Sequence, residues 1–122
     1  MPFQRILHEL ISSTSGALGA IFLDQEGETV EVLTDRPLEA DDNDLKVIGA
    51  YSGIFLTQLR HMCDGAGIGR LDRFKIAFDL TTVLTCDLKD GYYVVLLVDA
   101  SANEGLAWQK LVACRERLLG EM

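Results

Sequence analysis

The stretch from Phe3 to Gly27 constrains this chain more than any other part of it. Phe3, Ile6, Leu7, Leu10 and Ile11 recur at i, i+3, i+4, i+7 and i+8, which is one stripe of an amphipathic helix. Ser12-Ser13-Thr14-Ser15-Gly16 stops that helix, because hydroxyl side chains compete for backbone bonds and glycine accepts the left-handed end position. Ala17 to Leu23 is then apolar throughout, and Asp24-Gln25-Glu26-Gly27 closes a hairpin turn. A strand apolar on both sides has to sit inside a sheet with both faces covered. Helices must therefore pack on both sides of it, and this order matches no enzyme motif.

The rest of the chain supplies those covers. Thr29 to Leu33 alternates as an antiparallel strand with one wetter face. Thr34 to Asn43 is acidic, contains a proline and has no apolar period, so it reads as a loop in which Asp42 or Asn43 can cap the next helix. That helix spans about Asp44 to Cys63, and Asp64 to Gly69 forms a glycine-rich exit. Phe74, Ile76 and Phe78 alternate with Arg73, Lys75 and Ala77 in a third strand. Val83 to Leu88, a Lys89-Asp90-Gly91 turn and Tyr92 to Val98 follow as two more strands. Ser101-Ala102-Asn103-Glu104 has the spacing of a capping box, and a last helix continues to about Leu119. The prediction is one α+β domain over residues 1–122, α-β-β-α-β-β-β-α. Its five-stranded, mostly antiparallel sheet carries two helices on one face and one on the other, a profilin-like layout.

The 122 residues suffice to bury a core without staples. A net charge of −8 excludes the clustered basic surface that nucleic acid or an anionic membrane requires. No apolar run reaches membrane-spanning length and no signal peptide is visible, which points to the cytoplasm. Cys63, Cys86 and Cys114 are widely spaced and odd in number, so they are expected as reduced, buried small hydrophobes.

The second helix is too apolar for a monomer. Leu45, Val47, Ile48, Tyr51, Ile54, Phe55, Leu56, Leu59 and Met62 span roughly 200° of its wheel, more than a surface helix needs. Part of that arc can lie on the sheet; the remainder needs another cover. Gly49 and Gly53 stand four apart and each costs about 1 kcal/mol against alanine, so they imply a close approach. The following strand, with Phe74, Ile76 and Phe78, would offer unpaired amides if it lies at the sheet edge. The expected interface between two copies is therefore Leu45, Ile48, Tyr51, Ile54, Phe55, Leu59, Met62, Phe74, Ile76 and Phe78. Lys46, Gly49, Gly53, Thr57 and Arg60 form the narrow polar remainder, expected to be exposed.

Catalytic groupings do not emerge. His8, His61 and Cys63 have neither triad nor metal-ligand spacing, and no metal or cofactor is expected. Gly65-Ala66-Gly67-Ile68-Gly69 lacks a following Lys-Ser/Thr and leads into a strand, so it is no phosphate loop. Asp41-Asp42 reads as a solvated pair, and Arg115 as a stem snorkelling from the apolar side of the last helix towards a carboxylate.

Several local signatures, in this order, resemble the Roadblock/dynein light-chain domain family and its bacterial MglB-like members. They are Gly16-Ala17-Leu18-Gly19-Ala20, Asp24-x-x-Gly27, Gly91-Tyr92-Tyr93-Val94-Val95 and Asn103-Glu104-Gly105-Leu106, and the likeness covers almost the whole chain. The resemblance implies a non-catalytic cytoplasmic homodimer with a continuous sheet and paired central helices. It also implies a Ras-like small GTPase as partner, with GTP hydrolysis accelerated in some members. Lys46, Gly49, Gly53, Thr57 and Arg60 would then face that GTPase. The chain begins two residues before its first helix, so the terminal extensions of some members are not expected. Tyr51 and Phe55 are bulkier than the small residues frequent at the central helix of bacterial members. The alternatives are a profilin- or PAS-like sensing module and a dimeric scaffold without a GTPase. A sensor needs convergent polar groups in a cavity, whereas the inward residues Ile21, Leu23, Val94, Leu96 and Val98 offer only bulk.

Overall fold

A computed structural model describes residues 2–35 and 42–122. Its elements are α1 (Pro2–Ser13), β1 (Ala17–Leu23), β2 (Thr29–Thr34), α2 (Asp42–Cys63), β3 (Arg73–Ala77), β4 (Thr81–Asp87), β5 (Tyr93–Asp99) and α3 (Glu104–Gly120). The five strands form one antiparallel sheet in the order β2-β1-β5-β4-β3. The predicted element order holds, with strand ends moved by one or two residues. The capping role expected of Asp42 or Asn43, most of the acidic loop and the Asp41-Asp42 pair fall outside the described residues and side chains.

The α1 stripe buries Ile6, Leu7, Leu10 and Ile11, each contributing about 1.5–3 kcal/mol on burial. The Thr14 hydroxyl then donates to Leu10 O at 2.6 Å, and Gly16 takes a φ of +85° where a Cβ would strike Ala102. In the β1–β2 turn, the Asp24 carboxylate accepts the N–H groups of Glu26 and Glu28 at 2.9 and 3.0 Å. Gly27 completes that turn with a φ of +81°.

The apolar strands lie inside the sheet, as their composition requires, and their side chains alternate between two cores. Ala20, Phe22, Val94, Leu96 and Val98 pack against α1 and α3. Ile21, Leu23, Val95 and Leu97 pack with Leu45 and Leu56 of α2. The inward strand residues grouped together from sequence are thereby divided: Ile21 and Leu23 face α2, whereas Val94, Leu96 and Val98 face the helix pair. Alternation with a period of two makes this unavoidable.

Two local readings are corrected. Ser101 is no helix cap; its backbone N–H and hydroxyl both donate to Asp99 Oδ1. Asn103 caps α3 instead, accepting from Leu106 N at 3.1 Å, and Glu104 turns outward to Lys75 Nζ at 2.8 Å. Of the cysteines, Cys86 and Cys114 are buried while Cys63 is only half-buried, because it ends α2 where no layer covers it. Arg115 does find a carboxylate: its Nη1 donates to Asp72 Oδ1 at 2.5 Å.

Candidate functional site

The sides of α2 differ sharply. Its inner side carries Leu45, Gly49, Ser52 and Leu56, with Leu45, Ser52 and Leu56 buried, over β2, β1 and β5. Leu45 is wholly enclosed within the chain, so it supports the fold and is withdrawn from the expected interface. Gly49 and Gly53 also lie on this inner side. A Cβ on Gly49 would come within 2.9 Å of Leu23, and one on Gly53 would overlap the Tyr93 hydroxyl. The close approach anticipated from the glycine pair is therefore real, but its partners are the chain's own β1 and β5. The buried Tyr93 hydroxyl needs an acceptor, and it donates to Gly49 O at 2.9 Å. Burial pushes the Tyr93 phenol up to about 12. Tyr93 gave a usable sequence signal: a phenol within a wholly apolar strand requires a backbone close by.

Arg60 is likewise not a freely presented cation. It pairs with Asp87, which is buried at the end of β4 and also receives Arg70 Nη2 at 2.6 Å. One carboxylate thus ties the last turn of α2 and the segment before β3 to the sheet. Of the five residues expected to face a partner, Lys46 and Thr57 are exposed, Gly53 and Arg60 are half-buried, and Gly49 is turned towards Ile21 and Leu23.

Among the described residues, the outer side and one flank of α2 stay uncovered. Val47, Tyr51, Ile54, Phe55 and Met62 are exposed, Met62 by 78% and Tyr51 by 57%. Ile48 and Leu59 sit half-buried at the margin. Beyond that flank, α2 leaves part of the sheet bare, and a groove of about 770 Å³ opens between Leu18, Leu45, Ile48, Phe78, Leu80 and Val83. The strand that bounds this area, β3, pairs only with β4 and forms the sheet edge. Phe74 and Ile76 are half-buried on its α2 side, and Phe78 follows it, 61% exposed. Helix flank, bare sheet and edge strand are contiguous, which is what an interface requires. Sequence reasoning omitted Leu80 and Ile68, exposed by 80% and 73%. Their signal was a large apolar residue inside a turn or glycine-rich segment, where nothing local can bury it.

Among the described residues, no group of three or more His, Cys, Asp and Glu side chains is placed to hold a metal. His8 is exposed on α1, whereas His61 and Cys63 both border an open cleft at the end of α2 that Thr57, Arg60, Asp64 and Arg70 also line. Burial raises the Cys86 thiol to about 11 and the Cys114 thiol to about 12, the reverse of what a nucleophile needs. Gly65, Gly67 and Gly69 all take positive φ, with open space where their Cβ atoms would lie, and lead into β3.

No protein-family model matches this chain, and no curated protein matches it by sequence. Solved structures do match. A Roadblock/LC7 domain from Streptomyces avermitilis superposes with a TM-score of 0.81 at 14% identity, covering 94% of this chain and 92% of that one. The fold is that of a Roadblock/LC7 domain. The gliding protein MglB from Thermus thermophilus shares the Roadblock/LC7 arrangement at a TM-score of 0.84 and 15% identity, over 97% of this chain and 86% of its own. The profilin-like layout is also present: Acanthamoeba castellanii profilin IA gives a TM-score of 0.63 at 12% identity, over 98% of both chains.

Proposed function

We propose that the protein is a non-catalytic homodimeric regulator that serves as a scaffold for a Ras-like small GTPase. The observation that carries the dimer is the contiguity of the bare α2 flank, the bare part of the sheet and the edge strand β3. A twofold axis beside β3 joins two edges into one sheet and lays the two α2 flanks together, so each copy covers the other's exposed side chains. Tyr51, Ile54, Phe55, Leu59, Met62, Phe74, Ile76 and Phe78 make up this contact. Ile48 borders it, and Met62, Phe78 and Tyr51, the most exposed of these side chains, have the most surface to bury there.

The GTPase rests on likeness to the Roadblock/LC7 fold and MglB. Lys46, Thr57 and His61 are exposed along one stripe of α2, with half-buried Ala50 between them beside Gly27 of the β1–β2 turn. In the dimer this stripe remains in solvent and forms the platform. Replacing Phe55→Asp should convert a dimer to a monomer by light scattering; an unchanged mass would refute the interface. A pull-down from native lysate with GDP or a non-hydrolysable GTP analogue tests the partner. Recovery of a Ras-like GTPase with the analogue, lost in a Lys46→Glu/Thr57→Glu variant that stays dimeric, supports the platform. A protein that captures no GTPase under either nucleotide is a dimeric scaffold of another kind.

A further inference from the structure

The sheet has a second edge, β2, which is chemically unlike β3 and pairs only with β1. The Asp35 N–H donates to Leu18 O at 3.2 Å, and bonded and non-bonded pairs alternate from there along the register. Leu33 and Glu31 therefore bond back to Ala20 and Phe22, while the N–H and C=O groups of Val32 and Thr34 point out of the sheet. Among the described residues, nothing pairs with those outward groups. Residues 24–35 also carry Asp24, Glu26, Glu28, Glu31 and Asp35 with no Lys or Arg among them. No described cation pairs with these carboxylates. On the α1 side of the strand, Phe3, Val30, Tyr92 and Met122 enclose a cleft of about 370 Å³ over the buried ring of Phe22. Val30, 39% exposed, is the wall of that cleft at the sheet edge.

We propose that β2 is a docking edge for a basic, extended segment of a partner protein, which adds a strand to the sheet and sets one apolar side chain in the cleft. The inference does not depend on the dimer proposed above, because β2 lies at the far edge from β3. The outward N–H and C=O groups accept any strand, so charge and cleft select the sequence. Opposite charges across neighbouring strands stabilise a pair and like charges oppose it. Charges on an edge ordinarily block pairing; a row of one sign blocks every strand except one of the opposite sign. A second copy of β2 would set carboxylates against carboxylates, which excludes self-pairing along this edge. The chain's own basic edge strand is no better an occupant. Its Arg73 lies over the Trp108 ring and beside Asp72, and its Lys75 is held by Glu104. The cleft supplies the remaining selectivity. Its walls are almost wholly apolar, with Phe3 and Tyr92 each against Phe22 at ring-centroid distances of 5.0 and 5.8 Å. Such a lining favours an aliphatic or aromatic anchor within an otherwise cationic segment.

A capped synthetic peptide, Lys-Val-Lys-Phe-Lys-Val-Lys, titrated into the full-length chain tests this by fluorescence anisotropy and backbone amide NMR. Binding should shift the Val32 and Thr34 amides, and the counterpart with Glu in place of every Lys should bind about 100-fold more weakly or worse. N-methylation of the peptide's backbone nitrogens keeps its charge but removes its donors, and should weaken binding about tenfold or more. In the protein, Thr34→Pro removes an outward N–H that β1 does not use, a change an edge strand tolerates. That variant should keep the parent's circular dichroism and lose about tenfold in affinity. Absence of binding, equal binding of the N-methylated peptide, or shifts at Lys75 and Ala77 in place of β2 would each overturn the proposal. Self-association that Thr34→Pro abolishes would give the edge to a second copy and overturn it as well.

Discussion

The two faces of the sheet bury similar strands under different kinds of cover. On one face α1 and α3 act together: Leu7, Leu10, Leu111 and Leu118 close over Phe22, Leu84 and Leu96, and the helices are cross-tied by the Arg117–Glu9 pair. On the other face α2 is the one described helix over β2, β1 and β5, and among the described residues nothing covers part of the sheet towards β3. The single helix is nevertheless the longest element, and it carries apolar residues that the described residues leave exposed, from 40% at Phe55 to 78% at Met62. A closed face needs only its own chain. An open face whose apolar surface exceeds what the fold uses marks a surface intended for something else.

That contrast can be broken by experiment. The largest effect belongs to the closed face: Leu111→Ala should cost roughly 3–5 kcal/mol in chemical denaturation, since Leu111 is wholly enclosed in the core under α3 and its removal leaves a cavity. Asp87→Ala should cost roughly 2–3 kcal/mol, less than a fully buried pair would, because Arg70 is largely in solvent and only Arg60 is stranded. A smaller loss would mean that the ties at the end of α2 matter less than their burial suggests.

Alkali provides a further probe. Burial raises the folded pKa of Cys86 to about 11 from 9.0, of Cys114 to about 12 from 9.0 and of Tyr93 to about 12 from 10.0. The unfolded chain therefore sheds these protons first. Stability is constant with respect to these groups below pH 9 and declines as pH rises from 9 to 12. Urea midpoints measured at about pH 8, 9.5 and 11 should fall in that order.

Gly53→Ala should cost about 1–2 kcal/mol, because the overlap with the Tyr93 hydroxyl outweighs the roughly 1 kcal/mol gain in helix propensity. The open face should respond least. In dilute solution, where the chain is monomeric, Phe55→Ala should move stability by no more than about 0.5 kcal/mol while abolishing self-association. A loss in the dilute monomer comparable with that of Leu111→Ala would erase the distinction between the two faces.

Much of this was legible in the residues themselves. The stripe of α1, the apolar runs of β1 and β5 and the turn chemistry at Asp24 and Gly27 are local facts of periodicity and backbone preference, and each reappears in its place. The excess apolar arc of α2 was visible too, because a wheel counts hydrophobic residues without knowing their neighbours. What the wheel cannot do is divide the arc. Leu45 and Phe55 are equally apolar in sequence, but one is enclosed and the other is 40% exposed. The glycines show the same limit. Sequence establishes that something approaches Gly49 and Gly53 closely, yet only the placement of the sheet beneath α2 makes Leu23 and Tyr93 those neighbours.

By itself, then, the sequence determined which segments are helix and strand, which strands lie inside, and that one helix carries more apolar surface than a single domain can bury. These follow from interactions within a few residues and from the cost of wetting hydrocarbon. Tertiary structure alone decided that β3 is the edge, that Arg60 and Arg70 converge on Asp87, and which side of α2 remains exposed. Those outcomes depend on strand order and helix placement, set by contacts between residues far apart in the chain, which no local pattern encodes.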